Sequence, residues 1–381
     1  MTISALDNHA GTQILAVIFD LDGTLLDTER ATWGLLKDFL AKYGKVLKAD
    51  IERRRLGTTQ KESAIAIVRD YDLPLTPDQF IEEITPFYKA KWAEAKALPG
   101  ANRLIVHLHK HQVPFSLASN SLRENIEGKL SHHKDWKECF LAILGSDQVK
   151  SGKPAPDLYL EAAERMGVDP IHCLVIEDSL VGVKAAKAAG MKVVAVPSES
   201  NDEVAALADS VLHSLLDFRP ELWALPPFED WVDNALPIDP IYLEDLFSDG
   251  FLTVFTGQLE QEDGPNVLPD QVCGAYFGWA KVKMVGVFKV VAAIGWELSS
   301  ALKRKIQLCL VDGSNAELSN QHLQLLLVGY IRAFDKQVTS WNMEVNEEDR
   351  SIARCSFEQP MFTRHAFEAD AEDSLMKKAA T

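Results

Sequence analysis

The sequence predicts an α/β fold with a helical insertion, followed by a smaller β-rich domain. Three observations carry this. Four apolar runs, Ile14–Phe19, Val113–Ala118, Cys173–Ile176 and Lys192–Val196, read as fully buried strands of a parallel sheet. About seventy residues rich in helix formers separate the first two runs, too many for a simple connection. Beyond Val196 the chain turns proline-rich and then breaks into short, glycine-punctuated β runs.

The first strand runs into Asp20-Leu21-Asp22-Gly23-Thr24, two carboxylates at a strand end beside a Gly-Thr turn. In an open parallel sheet that carboxyl edge is where ligands bind. Two acidic groups there, with no basic neighbour in the segment, call for a cation, and an all-oxygen set points to magnesium. The second strand leads into Ser119-Asn120, a hydroxyl and an amide suited to phosphate oxygens. Ser151–Asp157 then puts Lys153 on a Gly/Pro loop as a fixed positive charge. The strand Cys173–Ile176 ends in Glu177-Asp178-Ser179, a second acidic pair. Each segment also has an ordinary reading: helix cap or turn for the Asp pair, surface charge for Lys153, N-cap of a helix Leu180–Gly190 for Glu177-Asp178-Ser179. Four such coincidences in order are harder to accept than one site.

Within the insertion, helices are expected over Arg30–Tyr43, Gln60–Tyr71 and Asp78–Lys96, separated by the turn signals Leu56–Thr59 and Leu73–Pro77. A further helix ends near His111. His107, His109 and His111 alternate, so they do not share one helix face, and surface positions are expected for them and for His132-His133. Arg53, Arg54 and Arg55 read as a solvated face, with substrate contact the alternative. The prolines of Leu225–Trp231 and Leu236–Pro240 read as a linker. After it, Leu252–Phe255, Cys273–Trp279, Met284–Ile294 and Leu323–Ile331 suggest a small barrel or sandwich, and a mixed-charge helical stretch closes the chain.

The four motifs together resemble those of the haloacid dehalogenase-like hydrolases over roughly the first 215 residues. The resemblance implies that Asp20 is the nucleophile, forming an aspartyl-phosphate, and that Asp22 protonates the leaving oxygen and then activates water. It implies magnesium (Mg2+) held by Asp20, Asp178 and the backbone carbonyl of Asp22, with Glu177 either a ligand or an orienting neighbour. Thr24, Ser119, Asn120 and Lys153 are then the substrate-binding groups for the phosphoryl oxygens. A second acid such as Asp22 serves an ester with a leaving alkoxide, which favours phosphatase over dehalogenase chemistry. The insertion, about 28–98, corresponds to the family's helical cap.

Gly274–Ala280, Gly286–Val291, Ile294-Gly295-Trp296 and Leu327–Arg332 resemble the riboflavin kinase barrel. The whole chain, including Ser119-Asn120-Ser121, Trp136–Phe140 and Gly145-Ser146-Asp147, is similar to the plant-type bifunctional riboflavin kinase/FMN hydrolase family. The kinase motifs are eroded: Phe255-Thr256-Gly257-Gln258 stands in for the nucleotide-binding segment, and Gln307 occupies the place of the catalytic Glu, with Asp312 off the pattern. The expected architecture is therefore a Rossmann-like parallel sheet core with inserted helical cap (1–215), a linker (216–240) and a smaller, catalytically degenerate β-barrel domain (241–381). The expected reaction is hydrolysis of FMN to riboflavin. Another small phosphate ester, or flavin binding without turnover, is the alternative.

Composition agrees. The 381 residues suit two domains, and 47% hydrophobic content suits well-buried cores. A net charge of −17 argues against nucleic acid or an anionic membrane as partner. Five unpaired-looking cysteines suggest reduced, mostly buried thiols. No apolar run reaches spanning length, and residues 1–13 lack a signal-like apolar core and any Arg, so a cytoplasmic location is expected. Nothing in the pattern speaks to oligomeric state.

Overall fold

The computed structural model describes residues 13–32, 34–48, 51, 59–198, 201–248, 251–255, 268–282, 285–297, 300–313, 318, 321–334 and 344–362. The chain divides into two compact units, Met1–Phe228 and Glu229–Thr381.

The first unit is built on six parallel strands: β1 (Ala16–Phe19), β2 (Phe115–Ala118), β3 (Ile143–Leu144), β4 (Cys173–Glu177), β5 (Lys192–Ala195) and β6 (Ser210–Val211). Their order across the sheet is β3-β2-β1-β4-β5-β6. Alternation sends Val17, Phe19, Leu174 and Ile176 to one apolar layer and Ala16, Ile18, Cys173 and Val175 to the other. Both faces are buried, which explains why these strands read as continuous apolar runs. From β1 the chain builds β2 and β3 on one side and then crosses to β4 on the other. The carboxyl ends of β1 and β4 therefore flank the topological switch point, where a crevice opens.

The insertion folds as α1 (Thr28–Ala31), α2 (Leu35–Ala41), α3 (Gln60–Asp70) and α4 (Pro77–Trp92) around its own core of Phe39, Leu40, Ile67, Phe80 and Ile84. The helix expected over Arg30–Tyr43 is broken in two at Gly34, which takes a left-handed φ of 81°. Thr59 with Glu62 and Thr76 with Gln79 form capping boxes that start α3 and α4. Helix α4 stops at Trp92 rather than Lys96. Arg53, Arg54 and Arg55 lie outside the described residues.

Helix α5 (Ala101–Lys110) packs on the β1 layer through Leu104, Ile105 and Leu108. Here one expectation fails: His107 is buried, not at the surface. His107 and His111 stand four residues apart and do share a face. Their rings meet at 4.4 Å, and His107 Nε2 lies 2.8 Å from the Pro226 carbonyl. The residues following position 215 are also not free chain. Leu215–Asp217 and Pro220–Trp223 form 3-10 turns, and Trp223 and Leu225 sink into the same apolar layer. Arg103 lies 3.4 Å over the Phe228 ring. Of the span 216–240, the first part thus packs as the edge of the first unit, while residues from Leu236 onward form a strand. Proline is tolerated there because the strand bulges and shifts register.

The second unit is a closed antiparallel barrel of β7 (Leu236–Ser248), β8 (Phe251–Phe255), β9 (Gly274–Val282), β10 (Gly286–Glu297), β11 (Ser300–Leu310) and β12 (Gln321–Arg332), ordered β10-β11-β8-β7-β12-β9. Gly278 and Gly329 permit close approach of β9 and β12: a Cβ on Gly278 would lie 1.9 Å from the Leu326 oxygen. The closing helix, Glu347–Ser356, is capped by Asn346 and tied to β12 by Arg332 with Asp349 at 2.8 Å. All five cysteines are free, but only Cys173 and Cys309 are buried, so mostly buried thiols is not what folding produces. No helix among the described residues is long and apolar enough to cross a membrane.

Candidate active site

Asp20 follows β1 directly, its amide bonded to the Ile176 carbonyl of β4, so the two strand ends are laced together at the crevice. The turn Gly23–Leu26 closes back on itself, with the Gly23 amide donating to Leu26. Gly23 has φ 82°, and a Cβ there would lie 2.3 Å from Asp178 Oδ2. Only glycine lets this turn sit against the second acidic pair.

Lys153 is buried, and its Nζ donates to Asp20 Oδ1 at 2.6 Å and to Glu177 Oε1 at 2.9 Å. Burial disfavours its charge, but Asp20 and Glu177 more than reverse that and hold its ammonium far above the ordinary lysine range. Its loop is clamped by Asn120, whose Oδ1 accepts from the Lys153 amide at 2.8 Å and whose Nδ2 donates to the Lys153 carbonyl at 3.1 Å. Glu177 has both carboxylate oxygens engaged. Tyr159 donates to Oε1 at 3.3 Å, while the Ser179 amide and hydroxyl donate to Oε2 at 2.5 and 3.0 Å. The helix Leu180–Ala188 begins over this carboxylate: a Cβ on Gly182 would lie 1.6 Å from Glu177 Oε1. Ser179 is also that helix's N-cap, so the ordinary reading of this motif and the functional one hold together.

Asp20, Glu177 and Asp178 place one carboxylate oxygen each within 4.8 Å of one another, and Thr24 donates to Asp178 Oδ1 at 3.3 Å. Burial, partly opposed by Lys153 and reinforced by Glu177 and Asp22, pushes the Asp20 carboxyl up to about 7. Three clustered carboxylates with one ammonium among them, in an all-oxygen set, fit a divalent cation. The Asp22 carboxylate is not part of that cluster.

Asp22 instead meets Ser119, which the sequence flagged for phosphate, together with Thr28, Ser121 and Lys129, to which it gave no role. Its Oδ1 accepts from Thr28 at 2.7 Å and from Lys129 at 2.6 Å. Its Oδ2 accepts from Ser121 at 2.9 Å, Lys129 at 2.8 Å and Ser119 at 3.3 Å. Burial raises its carboxyl, but Lys129, Thr28 and Ser121 outweigh that and hold it below the ordinary range. Ser121 could have been found from its alternation with Ser119. Lys129 carries no local signal, being 107 residues away in sequence.

In the barrel, Gln307 lies within β11 opposite Ala293 and Phe251, and its Oε1 accepts from the Val345 amide at 3.3 Å. Thr256, Gly257 and Gln258 lie outside the described residues.

Comparison with known proteins matches residues 17–196 to the haloacid dehalogenase-like hydrolase family model. A bifunctional riboflavin kinase/FMN phosphatase of Arabidopsis thaliana is 44% identical over 91% of this chain and 94% of its own length. A probable pseudouridine-5'-phosphatase of Drosophila melanogaster is 40% identical over 58% of this chain and 99% of its own. A (DL)-glycerol-3-phosphatase of the same plant, mitochondrial, is 36% identical over 60% of this chain and 79% of its own.

Proposed function

The chain belongs to the haloacid dehalogenase-like hydrolases, and we propose that it is a magnesium-dependent phosphomonoesterase whose substrate is FMN. The observation that carries the chemistry is Asp20 at the β1 terminus, buried against Lys153 in a three-carboxylate cluster. FMN is favoured because similarity to the plant riboflavin kinase/FMN phosphatase covers 91% of this chain and so reaches into the barrel, whereas the other two relatives match 58% and 60% of it.

In this reading the Asp20 carboxylate attacks phosphorus and the bond to the ester oxygen breaks. Asp22, once its carboxylate has taken up a proton, delivers that proton to the departing oxygen. It then takes one from the water that displaces Asp20 from phosphorus. Lys153 neutralises phosphoryl charge and keeps Asp20 and Glu177 apart from one another's repulsion. Ser119 and Thr24 line the phosphate position, and Asn120 serves it by fixing the Lys153 loop. Asp20, Asp178 and the Asp22 carbonyl would hold the cation, with Glu177 orienting from behind, since both its oxygens are engaged. The bound ion supplies charge neutralisation at the phosphoryl oxygens. The barrel is a degenerate kinase domain, because the Gln307 amide cannot accept a hydroxyl proton and is committed to the Val345 amide.

Phosphate release from FMN, common nucleotides and sugar phosphates, with magnesium and with a chelator, tests this. Magnesium-dependent preference for FMN is expected, with no FMN formed from riboflavin and ATP. Turnover of other esters with FMN ignored would keep the mechanism and discard the flavin. No turnover of any ester would overturn the enzyme reading in favour of a binding protein.

A further inference from the structure

The second phosphate-binding segment continues into a short helix, Arg123–Lys129, that ends on a buried lysine. Among the described residues, Lys129 and Lys153 are the buried lysines. Taking an ammonium out of water costs several kcal/mol unless it is well paired. Lys153 is accounted for by Asp20 and Glu177. The Lys129 Nζ spans both oxygens of Asp22, at 2.6 and 2.8 Å, and donates to Ser121 Oγ at 2.8 Å. It also lies 5.1 Å from the centre of the Trp92 ring, the last residue of α4 in the insertion. Trp92 is itself backed by Tyr88, stacked at 6.3 Å.

The same short helix touches the insertion at two further points. Asn125 Nδ2 donates to Gln60 Oε1 at 3.3 Å, and Lys89 pairs with Glu124 at 2.5 Å. The group that grips Asp22 is therefore carried by the element on which the insertion seats. A carboxyl group transferring a proton does so through one oxygen, so its rotation decides whether that oxygen faces the leaving group. A donor that spans both oxygens restricts that rotation by itself, adding to the hold of Thr28 on Oδ1 and of Ser121 and Ser119 on Oδ2.

We infer that Lys129 is a positioning residue that aims the Asp22 carboxyl at the leaving oxygen, and that Trp92 makes this aim depend on the seating of the cap. The inference rests on Asp22 as acid and base, as proposed above. It assigns Lys129 no contact with the phosphoryl group.

The test is leaving-group dependence in the full-length, magnesium-saturated protein. A primary alkyl phosphate needs a proton on its departing oxygen, whereas p-nitrophenyl phosphate does not, and kcat/KM reports steps up to formation of the aspartyl-phosphate. In K129M the ratio of alkyl to aryl kcat/KM should fall about tenfold or more, with thermal unfolding showing a folded protein. K129R should recover part of it, and W92L should lower it by a smaller factor than K129M. In a D22N background K129M should leave the ratio unchanged, because there is no carboxyl left to aim.

An equal fall for both esters would make Lys129 merely structural and overturn the inference. So would a rise in the ratio, which would mean that the lysine holds Asp22 back. An unchanged ratio in W92L would overturn the dependence on the cap. If D22N itself does not separate the two esters, the acid/base reading fails and the aiming role of Lys129 falls with it, whereas a D22N that separates them beside a K129M that does not overturns the role of Lys129 alone. Should K129M not fold, K129Q carries the same comparison with two uncharged N–H donors in place of three charged ones.

Discussion

At the scale of single residues, the site is a division of labour between two carboxylates two positions apart. Asp20 sits with Lys153 in a buried corner where three carboxylates share one ammonium, and Asp22 sits in a fan of hydroxyl and ammonium donors. Environments that differ this much are how one segment supplies both a nucleophile and a proton carrier. Asp20→Asn should abolish phosphate release, by at least about a thousandfold, with the unfolding temperature kept, as read by steady-state assay and calorimetry. Unchanged turnover would remove Asp20 from the chemistry. Gly182→Ala should cost activity without touching any reacting group, because the added methyl would strike Glu177 and displace Lys153 from Asp20. Its readout is turnover against a near-native circular dichroism spectrum.

At the scale of elements, stability is concentrated where strands are pinned. Asp209 ties the edge of the first sheet, accepting from the Val193 amide at 2.9 Å and from Lys187 and Lys192 at 2.8 Å each. Burial raises its carboxyl, but the two lysines and the amide outweigh that and hold it below the ordinary range. A depressed carboxyl contributes stability above its unfolded pKa, near 4, and loses it as pH falls through the folded value. Asp209→Asn should therefore destabilise by about 1 kcal/mol at neutral pH, after allowance for solvent screening. The difference from the parent should shrink below pH 4 in urea melts. In the barrel, Gly278→Ala should cost roughly 1–3 kcal/mol or unfold the second unit, since its methyl meets backbone that cannot move aside.

At the scale of the whole molecule, the chain is two units that divide after Phe228. A fragment ending at Phe228 should fold and release phosphate with the same metal dependence as the full chain. One ending at residue 215, where the sequence motifs run out, should be far less stable, because Trp223 and Leu225 would no longer cover the β1 layer. Burial of that Trp alone is worth about 3–5 kcal/mol by truncation, and Trp223→Ala in the longer fragment checks it by thermal melting. Equal stability of the two fragments would mean that residues 216–228 only decorate the surface.

The parallel sheet, the inserted helices, a β-rich second domain (barrel or sandwich by pattern, a barrel only by resemblance) and Asp20, Asp22, Ser119, Lys153 and Asp178 as candidates were legible in the chain because each rests on short-range pattern. Apolar runs, turn residues and motif order are local properties that no partner has to complete. The break of the first helix at Gly34, the burial of His107 and the packing of Trp223 were not legible, since each depends on what another segment presents. Sequence alone thus determined which carboxylates end which strands. Only the tertiary structure decided that Lys129, 107 residues from Asp22, would close on it, because a charge pair is selected by distance in space and leaves no periodic trace along the chain.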